Sequence, residues 1–210
     1  MKKLDASTFP TLETSPCPER LLWNTHERRT TAKTVLFDVN TVHRTGPSGR
    51  EGDFVELDFG NGGISIIPFF IGTDGVARFV MERQFRHGSE NVTLEFPAGL
   101  VDNGEDPSAA AARELLEETG LKAGTMTCMG NVCQNSAYMK CPAAFFLDED
   151  LTVETDISDR RLDENEEIDV LTVPVSYVLE HIGDEELSNG ACLLSLPFFI
   201  REMRRRGMDF

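Results

Sequence analysis

The acidic residues with the most regular spacing lie between residues 99 and 121, in the segment GLVDNGEDPSAAAARELLEETGL. On a helix that turns about 100° per residue, Glu114 and Glu118 lie about 40° apart on one face, and Glu117 lies beside them. Like charges this close repel one another, so the cluster is destabilising unless a cation binds to it. Hard carboxylate oxygens at this density suit Mg²⁺ or Mn²⁺. The pattern therefore predicts a divalent-metal site on a helix.

The residues that flank this cluster also stand at regular offsets. The spaced positions are Gly99, Glu105, Arg113, Glu114, Glu117, Glu118 and Gly120. At residue frequencies of roughly 5–7% each, chance produces such a set on the order of 10⁻⁹ times per starting point. A solvated helix face with i,i+4 ion pairs, such as Arg113 with Glu117, would explain one pair of glutamates. It does not explain the flanking glycines and Glu105.

Strands and helices that would position this segment can be predicted from periodicity and turn residues. Asp106 is a helix cap, Pro107 suits the first helical position, and Gly120 suits a left-handed C-terminal position. Asn189 is predicted to cap a last helix over 190–206, and a short helix is predicted over 176–182. Alternating or continuous apolar runs predict strands over 34–42, 53–59, 64–71, 76–82, 125–133, 143–147 and 168–173. The resulting fold class is α+β, with residues 1–30 as a loosely ordered lead-in and 31–210 as one domain.

Composition and charge restrict the classes of function. A net charge of −16 argues against binding to nucleic acid or to an anionic membrane, both of which require a basic face. The N-terminal residues lack the apolar segment of a signal peptide, and no apolar run is long enough for a membrane span, so a cytoplasmic location is expected. The five cysteines form no CxxC pair and are interpreted as small, mostly buried hydrophobic residues rather than zinc ligands.

The spacing G-x5-E-x7-R-E-U-x-E-E-x-G-U, where U is apolar, resembles the Nudix box at every position. The segment FVMERQFRHGSENVTLEFPAGLVDNGEDP at 79–107 resembles the Nudix subgroup of ADP-ribose and nucleoside diphosphate sugar pyrophosphatases. ENEEIDV at 164–170 is similar to the segment that brings a late glutamate to the metal site in that subgroup. Together these similarities cover roughly residues 33–200. The resemblance implies a mixed β-sheet sandwiched between helices (α/β/α), with additional N-terminal antiparallel strands.

The resemblance also implies roles for individual residues. The Mg²⁺ ligands, with Mn²⁺ possible, would be Glu114 and Glu118, with Glu117 close by and the backbone carbonyl of Ala98 contributing. Glu118 would also be catalytic. In such a site the cation offsets phosphate charge and makes the attacking water more acidic.

Other residues of the motif and its surroundings would support this chemistry. Glu105 and Arg113 would hold the loop and the helix in position, with Gly99 and Gly120 as structural positions of the box. Glu164 or Glu166, in an acidic loop, would be the general base, because loops on rigid scaffolds commonly deliver catalytic groups. A solvated acidic loop is the alternative interpretation.

Three residues are predicted to contact the substrate. Arg86 matches a substrate-contacting arginine of the family, with a surface ion pair as the alternative, and Glu82 is the last residue of the predicted strand 76–82 that precedes it. Tyr138 lies in CQNSAYMKCPAAFF at 133–146, where many ADP-ribose enzymes instead carry a serine–proline–glycine loop. Tyr138 would either form an apolar wall for a base or sugar or simply pack. This departure bears on the choice of substrate more than on the chemistry.

The expected function is Mg²⁺-dependent hydrolysis of ADP-ribose or a related nucleoside diphosphate sugar. Alternatives are another nucleoside diphosphate compound (a dinucleotide or a nucleoside triphosphate), a non-catalytic ADP-ribose sensor, or an isoprenoid diphosphate isomerase. A homodimer is expected, because the resembling subgroup pairs its N-terminal strands across a two-fold axis and a symmetric partner covers an open sheet edge. Residues 50–56 of one chain would then approach the site of the other.

Overall fold

The structure is a computed structural model, and it describes residues 8–13, 15, 17–162 and 166–210. The chain divides into two compact units, Met1–Asp58 and Phe59–Phe210. Within the described residues, no helix has the length and apolarity that crossing a bilayer requires.

The first unit contains a 3₁₀ turn, Pro18–Leu21, and an antiparallel meander of three strands, β1 (Asn24–Lys33), β2 (Asp38–Thr45) and β3 (Glu51–Asp58). Strand β1 was missed because its sequence, NTHERRTTAK, is polar and exposed at every position, so it has no apolar alternation to detect. Strand β2 begins later than the predicted 34–42, since Thr34 forms a turn by bonding to the backbone of Phe37. The predicted 1–30 lead-in therefore includes most of a strand.

The second unit carries the remaining elements. Its strands are β4 (Gly63–Ile71), β5 (Ala77–Arg86), β6 (Asn91–Glu95), β7 (Ala98–Leu100), β8 (Leu121–Lys122), β9 (Thr125–Cys133), β10 (Met139–Lys140), β11 (Pro142–Glu149), β12 (Thr152–Val153) and β13 (Ile168–Pro174). Its helices are α1 (Pro107–Thr119), α2 (Val175–Glu180) and α3 (Gly190–Arg205), with a 3₁₀ turn at Ile157–Asp159. The predicted helices over 176–182 and 190–206 are thus present, and β6 is a strand that the prediction missed.

A mixed sheet of seven strands forms the centre of this unit. Its order is β13-β5-β4-β11-β9, with β6 paired to β5 and β7 paired to β4. Strands β4 and β11 are parallel, whereas the other pairings are antiparallel. The sheet is mixed, as predicted.

The sheet is covered by helices on both faces, which is visible in the alternation along β11. Ala143, Phe145 and Leu147 belong to the larger core, which also contains apolar residues of α2 and α3. Ala144 and Phe146 face the opposite way, into a smaller core with residues of α1. Successive side chains of a strand point to opposite faces, so both faces are buried. The architecture is the predicted α/β/α sandwich.

Helix α1 begins and ends at the predicted residues. The Asp106 carboxylate accepts a hydrogen bond from the Ser108 N–H (2.9 Å), and Pro107 is the first helical residue. Gly120 adopts φ 74°, a left-handed conformation that favours glycine, and donates its N–H to the Leu116 carbonyl (2.9 Å). Sequence-encoded caps therefore fix both ends of the helix that carries the acidic cluster.

The prediction that the cysteines are mostly buried is wrong for three of the five. Cys141 and Cys192 are buried, whereas Cys17, Cys128 and Cys133 are exposed. Two of the exposed cysteines lie on β9, at the edge of the seven-stranded sheet. An edge strand has a neighbour on one side only, so its side chains are covered less completely than those of central strands.

Candidate active site

Glu118, in the last turn of α1, is the most deeply buried of the clustered carboxylates, with 4% of the residue exposed. Its Oε2 accepts a hydrogen bond from the backbone N–H of Ala98 (3.2 Å), which lies at the start of β7. The helix end and the β7 segment are thereby joined. The predicted pair of Glu118 and Ala98 is thus brought together in the structure.

Glu114 lies one turn earlier and packs on Gly99. A Cβ placed on Gly99 would overlap Glu114 Oε1, so the glycine leaves the space that this carboxylate occupies. Arg113 Nη1 donates to Glu114 Oε1 (2.8 Å) and to Glu117 Oε2 (3.1 Å). Glu117 is the most open of the three, with 42% of its side chain exposed. The i,i+4 pair of Arg113 and Glu117 is present as the sequence indicated.

Arg113 also ties the helix to the loop that precedes it. Its Nε and Nη2 donate to the two carboxylate oxygens of Glu105 (3.0 and 3.1 Å), and Nη2 also donates to the Leu100 carbonyl (3.3 Å). Glu105 Oε2 accepts in turn from the Asp102 N–H (3.0 Å). A bidentate arginine–carboxylate pair fixes orientation as well as distance. These contacts fix the position of the loop relative to α1.

The hairpin of β5 and β6 presents a buried polar face. Side chains on this face come from alternate positions of the two strands, namely Glu82, Gln84, Arg86, Thr93 and Glu95. Arg86 donates from Nε and Nη2 to Glu95 (2.9 and 2.7 Å), and Thr93 also donates to Glu95 Oε1. The Arg86 side chain is 40% exposed, whereas that of Glu95 is 3% exposed. Arg86 is therefore held by a buried carboxylate at the end of β5.

Electrostatic interactions connect this hairpin face with α1. Burial raises the pKa of the Glu118 carboxyl far above its ordinary value, and the charges of Glu82 and then Glu114 raise it further. Burial likewise raises the pKa of Glu82, although the Arg86 charge lowers it. Burial raises the pKa of Glu114 despite its bond to Arg113. In each case desolvation is the largest cause, and the neighbouring carboxylates contribute to the shift.

The late acidic segment contributes Glu166, just before β13. Its charge raises the pKa values of Glu82, Glu114 and Glu118, which indicates that Glu166 lies near all three. Glu164, the other candidate base, lies outside the described residues. Tyr138 lies between β9 and β10, where its N–H donates to the Asn135 carbonyl (3.4 Å), and the residue is 47% exposed.

Arg160 anchors the segment that leads to these acids. Its Nη1 donates to the Glu118 carbonyl (2.7 Å) and its Nη2 donates to the Ile168 carbonyl (2.5 Å). One side chain therefore bonds both the last turn of α1 and the first residue of β13. A cation at the C-terminal end of a helix also interacts favourably with the helix dipole.

Arg160 and Glu95 were missed in the sequence analysis. Arg160 bonds to backbone carbonyls, so no partner residue type accompanies it in the sequence. A signal for Glu95 does exist, because Thr93 and Glu95 alternate with apolar residues in NVTLE and so indicate one polar face. Pairing that strand with β5 brings Glu95 opposite Glu82.

These residues fit a divalent cation on chemical grounds. The donors are hard oxygens, several of them buried, and the carboxylates of the cluster outnumber its guanidinium groups. Within the described parts of the chain, Glu82 Oε1 is buried and has no hydrogen-bond partner. No group of three or more described His, Cys, Asp or Glu side chains already has the arrangement of a metal site. Binding would therefore require side-chain adjustment, since Glu114 Oε1, for example, is bonded to Arg113.

Comparisons with known proteins agree with this geometry. The NUDIX domain model matches residues 66–187. The ADP-sugar pyrophosphatase of Mus musculus is 33% identical over 132 residues, which is 61% of this chain and 61% of that protein. The ADP-ribose pyrophosphatase of Bacillus subtilis is 33% identical over 121 residues, which is 58% of this chain and 64% of that protein. The matches thus span less than two thirds of the length of either relative.

A similar fold has been solved. The crystal structure of an ADP compounds hydrolase superposes with a TM-score of 0.74 at 22% identity, covering 88% of this chain and 96% of that one. At this identity the likeness shows the fold alone, and it agrees with the sandwich described above. The domain match covers more than half of the sequence and includes both the acidic cluster and the hairpin that faces it. The chain belongs to the Nudix domain family.

Proposed function

We propose that this chain is a Mg²⁺-dependent pyrophosphatase for ADP-ribose or a related nucleoside diphosphate sugar, with Mn²⁺ as an alternative metal. The observation that carries the proposal is the buried Glu118 carboxylate, surrounded by further carboxylates at the end of a capped helix. The relatives from Mus musculus and Bacillus subtilis, whose names specify ADP-sugars and ADP-ribose, support the substrate class.

The helix and the β7 segment would hold the cation. Glu114 and Glu118 would be ligands, with Glu117 close by and the Ala98 carbonyl contributing. When bound, the cation would offset the phosphate charge and lower the pKa of the attacking water. The bonds between Arg113 and Glu105 fix the helix relative to the loop, so the backbone of the proposed ligands on α1 has a defined position before the cation binds.

The reaction is hydrolysis of a phosphoanhydride. The water oxygen forms a bond to one phosphorus, the bond from that phosphorus to the bridging oxygen breaks, and the bridging oxygen leaves with the other phosphate. The products are a nucleoside monophosphate and a sugar phosphate. Glu164 or Glu166 would accept the proton of the water. We rank Glu164 first, and the proximity of Glu166 to the carboxylate cluster supports a role for the segment as a whole.

Arg86 is proposed to contact the substrate. Its side chain is 40% exposed, and a guanidinium has five N–H donors, so bonding to Glu95 leaves donors for a phosphate or ribose. The ion pair with Glu95 would fix the direction in which those donors point. Tyr138, 47% exposed, is the proposed wall for a base or sugar, and Glu82 is the third proposed residue on the substrate side of the site.

A substrate panel tests the function. Purified protein is incubated with Mg²⁺ or Mn²⁺ and with ADP-ribose, other nucleoside diphosphate sugars, a dinucleotide and a nucleoside triphosphate, and the products are identified by mass spectrometry. We expect AMP and ribose 5-phosphate from ADP-ribose. Hydrolysis in ¹⁸O-water identifies the phosphorus that is attacked. Faster turnover of a dinucleotide or triphosphate would favour the alternative pyrophosphatase, whereas binding of ADP-ribose without turnover would favour a sensor.

Variants of the late acids test the proposed base. The variants Glu164→Ala and Glu166→Ala should each be compared with Glu167→Ala, because Glu167 is a neighbouring glutamate that is exposed. We expect a loss of turnover of more than about tenfold, roughly 1.4 kcal/mol in activation free energy, from the residue that positions or deprotonates the water. Smaller losses at both positions would show that the base comes from elsewhere.

The proposed assembly is a homodimer, and the proposed location is the cytoplasm. Strand β1 is exposed at every position, and Val35 and Leu36, which follow it, are exposed apolar residues. An uncovered strand edge beside apolar side chains favours pairing with another chain. A symmetric partner would cover this edge.

A further inference from the structure

Glu82 on β5 is a buried carboxylate without a compensating bond. The residue is 3% exposed, and its Oε1 has no hydrogen-bond partner among the residues that the structure describes. A buried carboxylate oxygen without a hydrogen bond destabilises the folded protein, and the free-energy cost is larger when the carboxylate is charged. Buried polar atoms in native proteins are nearly always paired with another group of the chain, an ordered water or an ion.

The arginines that act on Glu82 already bond to other groups. Arg86, four residues further along β5 on the same face, donates from two nitrogens to Glu95. Arg160 donates to the backbone carbonyls of Glu118 and Ile168. Both charges lower the pKa of Glu82, but burial outweighs them. The protein therefore provides partial charge compensation and no partner for Oε1 within its described part.

Glu82 lies on the strand that pairs with β13, and β13 is bonded to the end of α1 through Arg160. Arg160 donates to the carbonyls of Glu118 and Ile168, and Ile168 lies opposite Gln84, two residues after Glu82. Pairing of β5 with β6 and β13 fixes the backbone of Glu82 on both sides, opposite Glu95 and Val170. A carboxylate in a central strand of the sheet is thus held beside the last turn of the helix. Two buried carboxylates at close range require either a shared proton or a cation.

We propose that Glu82 is a further ligand of the divalent cation and supplies Oε1 from the sheet, in addition to the ligands of α1. This inference rests on the proposed function, whose metal site it extends beyond the residues of the box. A hard cation would satisfy the unbonded oxygen and offset the charges of Glu82 and Glu118 together. A ligand on a hydrogen-bonded strand would also limit how far α1 can move from the sheet when the cation is bound.

Metal binding without substrate tests the assignment. Wild-type protein, Glu82→Gln and Glu186→Gln are stripped with EDTA, and Mn²⁺ binding is measured from the electron paramagnetic resonance signal of free Mn²⁺. Glu186 is the matched control, because it forms an ion pair with Arg83, a residue of β5 like Glu82, and its side chain is half exposed. We expect Glu82→Gln to weaken Mn²⁺ binding by about tenfold or more, and the control to match wild type. The rise in Tm caused by saturating Mn²⁺ should shrink in Glu82→Gln alone.

Each outcome is decisive for Glu82. Mn²⁺ affinity of Glu82→Gln within about twofold of wild type would overturn the assignment and leave Glu82 as a protonated structural group. If Glu82→Gln does not fold, Glu82→Met, similar in volume and free of hydrogen-bonding demands, is measured by the same criterion. Failure of both to fold would show a structural role and also overturn the proposal. Wild-type protein that binds Mn²⁺ but hydrolyses no diphosphate would contradict the proposed function. The Mn²⁺ affinity of Glu82→Gln would still test whether Glu82 is a ligand.

Discussion

Replacing Glu118 by glutamine should stabilise the metal-free protein. Burial, and then the Glu82 charge, raise the pKa of Glu118 in the folded state far above its ordinary value of 4.5. Between those two pKa values the folded protein keeps a proton that the unfolded chain has released. The free energy of unfolding of the metal-free protein therefore falls as pH rises through this window. Glutamine removes the titration while keeping the size of the side chain and an acceptor for the Ala98 N–H.

The size of the effect follows from linkage. A fully shifted group changes the free energy of unfolding by about 1.4 kcal/mol per pH unit inside the window. From pH 5 to pH 7, partial relaxation of the site leaves an expected gain of about 1–3 kcal/mol for Glu118→Gln. In a domain of this size each kcal/mol corresponds to roughly 2–4 °C in Tm.

Differential scanning calorimetry of EDTA-treated protein between pH 5 and pH 8 measures this gain. We expect Glu118→Gln to match wild type near pH 5 and to exceed it increasingly toward pH 8. Glu117→Gln is the control, because Glu117 is 42% exposed and pairs with Arg113, so it should gain nothing. A Glu118→Gln protein less stable than wild type at pH 8, or a gain independent of pH, would refute the reasoning. Saturating Mg²⁺ should reverse the order, since wild type alone then has its full set of ligands.

Three further predictions concern the scaffold and the assembly. Arg113→Lys should lower the free energy of unfolding by about 1–3 kcal/mol in urea titrations, because lysine cannot form the bidentate bond to Glu105; an unchanged midpoint would contradict this. Gly99→Ala should weaken Mn²⁺ binding by displacing Glu114, whereas Gly88→Ala, where a Cβ meets nothing within 4 Å, should not; equal affinities would show that the space at Gly99 does not position Glu114 for the metal. Light scattering at micromolar concentration should give about twice the chain mass of 23.4 kDa, and a single-chain mass with full activity would exclude the dimer.

Local sequence signals predicted the acidic helix and its ends well. Asp106, Pro107 and Gly120 act through bonds within a few residues, so their effect is encoded next to the helix itself. Strand β9 also has the predicted bounds, 125–133, because turn residues delimit its apolar positions. The mixed sheet followed from the number of strands and from the resemblance to the Nudix family.

The parts that could not be predicted depend on contacts distant in sequence. Strand β1 is polar throughout, so only its pairing with β2 identifies it as a strand. The bidentate bond of Arg86 to Glu95 depends on the register of the β5–β6 hairpin, which the sequence does not specify. The burial of Glu82 depends on that same register and on β13, which comes from much later in the chain. The relative positions of residues within one helix can be predicted from the sequence, whereas the residues that face each other on paired strands cannot.

The two bonds of Arg160 bear on how this protein tolerates change in evolution. Because one guanidinium bonds both the Glu118 carbonyl and the Ile168 carbonyl, a single side chain joins the last turn of α1 to the first residue of β13. A substitution at Arg160 would remove both bonds at once and would therefore affect the last turn of α1 and the start of β13 together. We therefore expect Arg160 to tolerate substitution less well than an exposed residue such as Glu167, because the position of Glu118 depends on it.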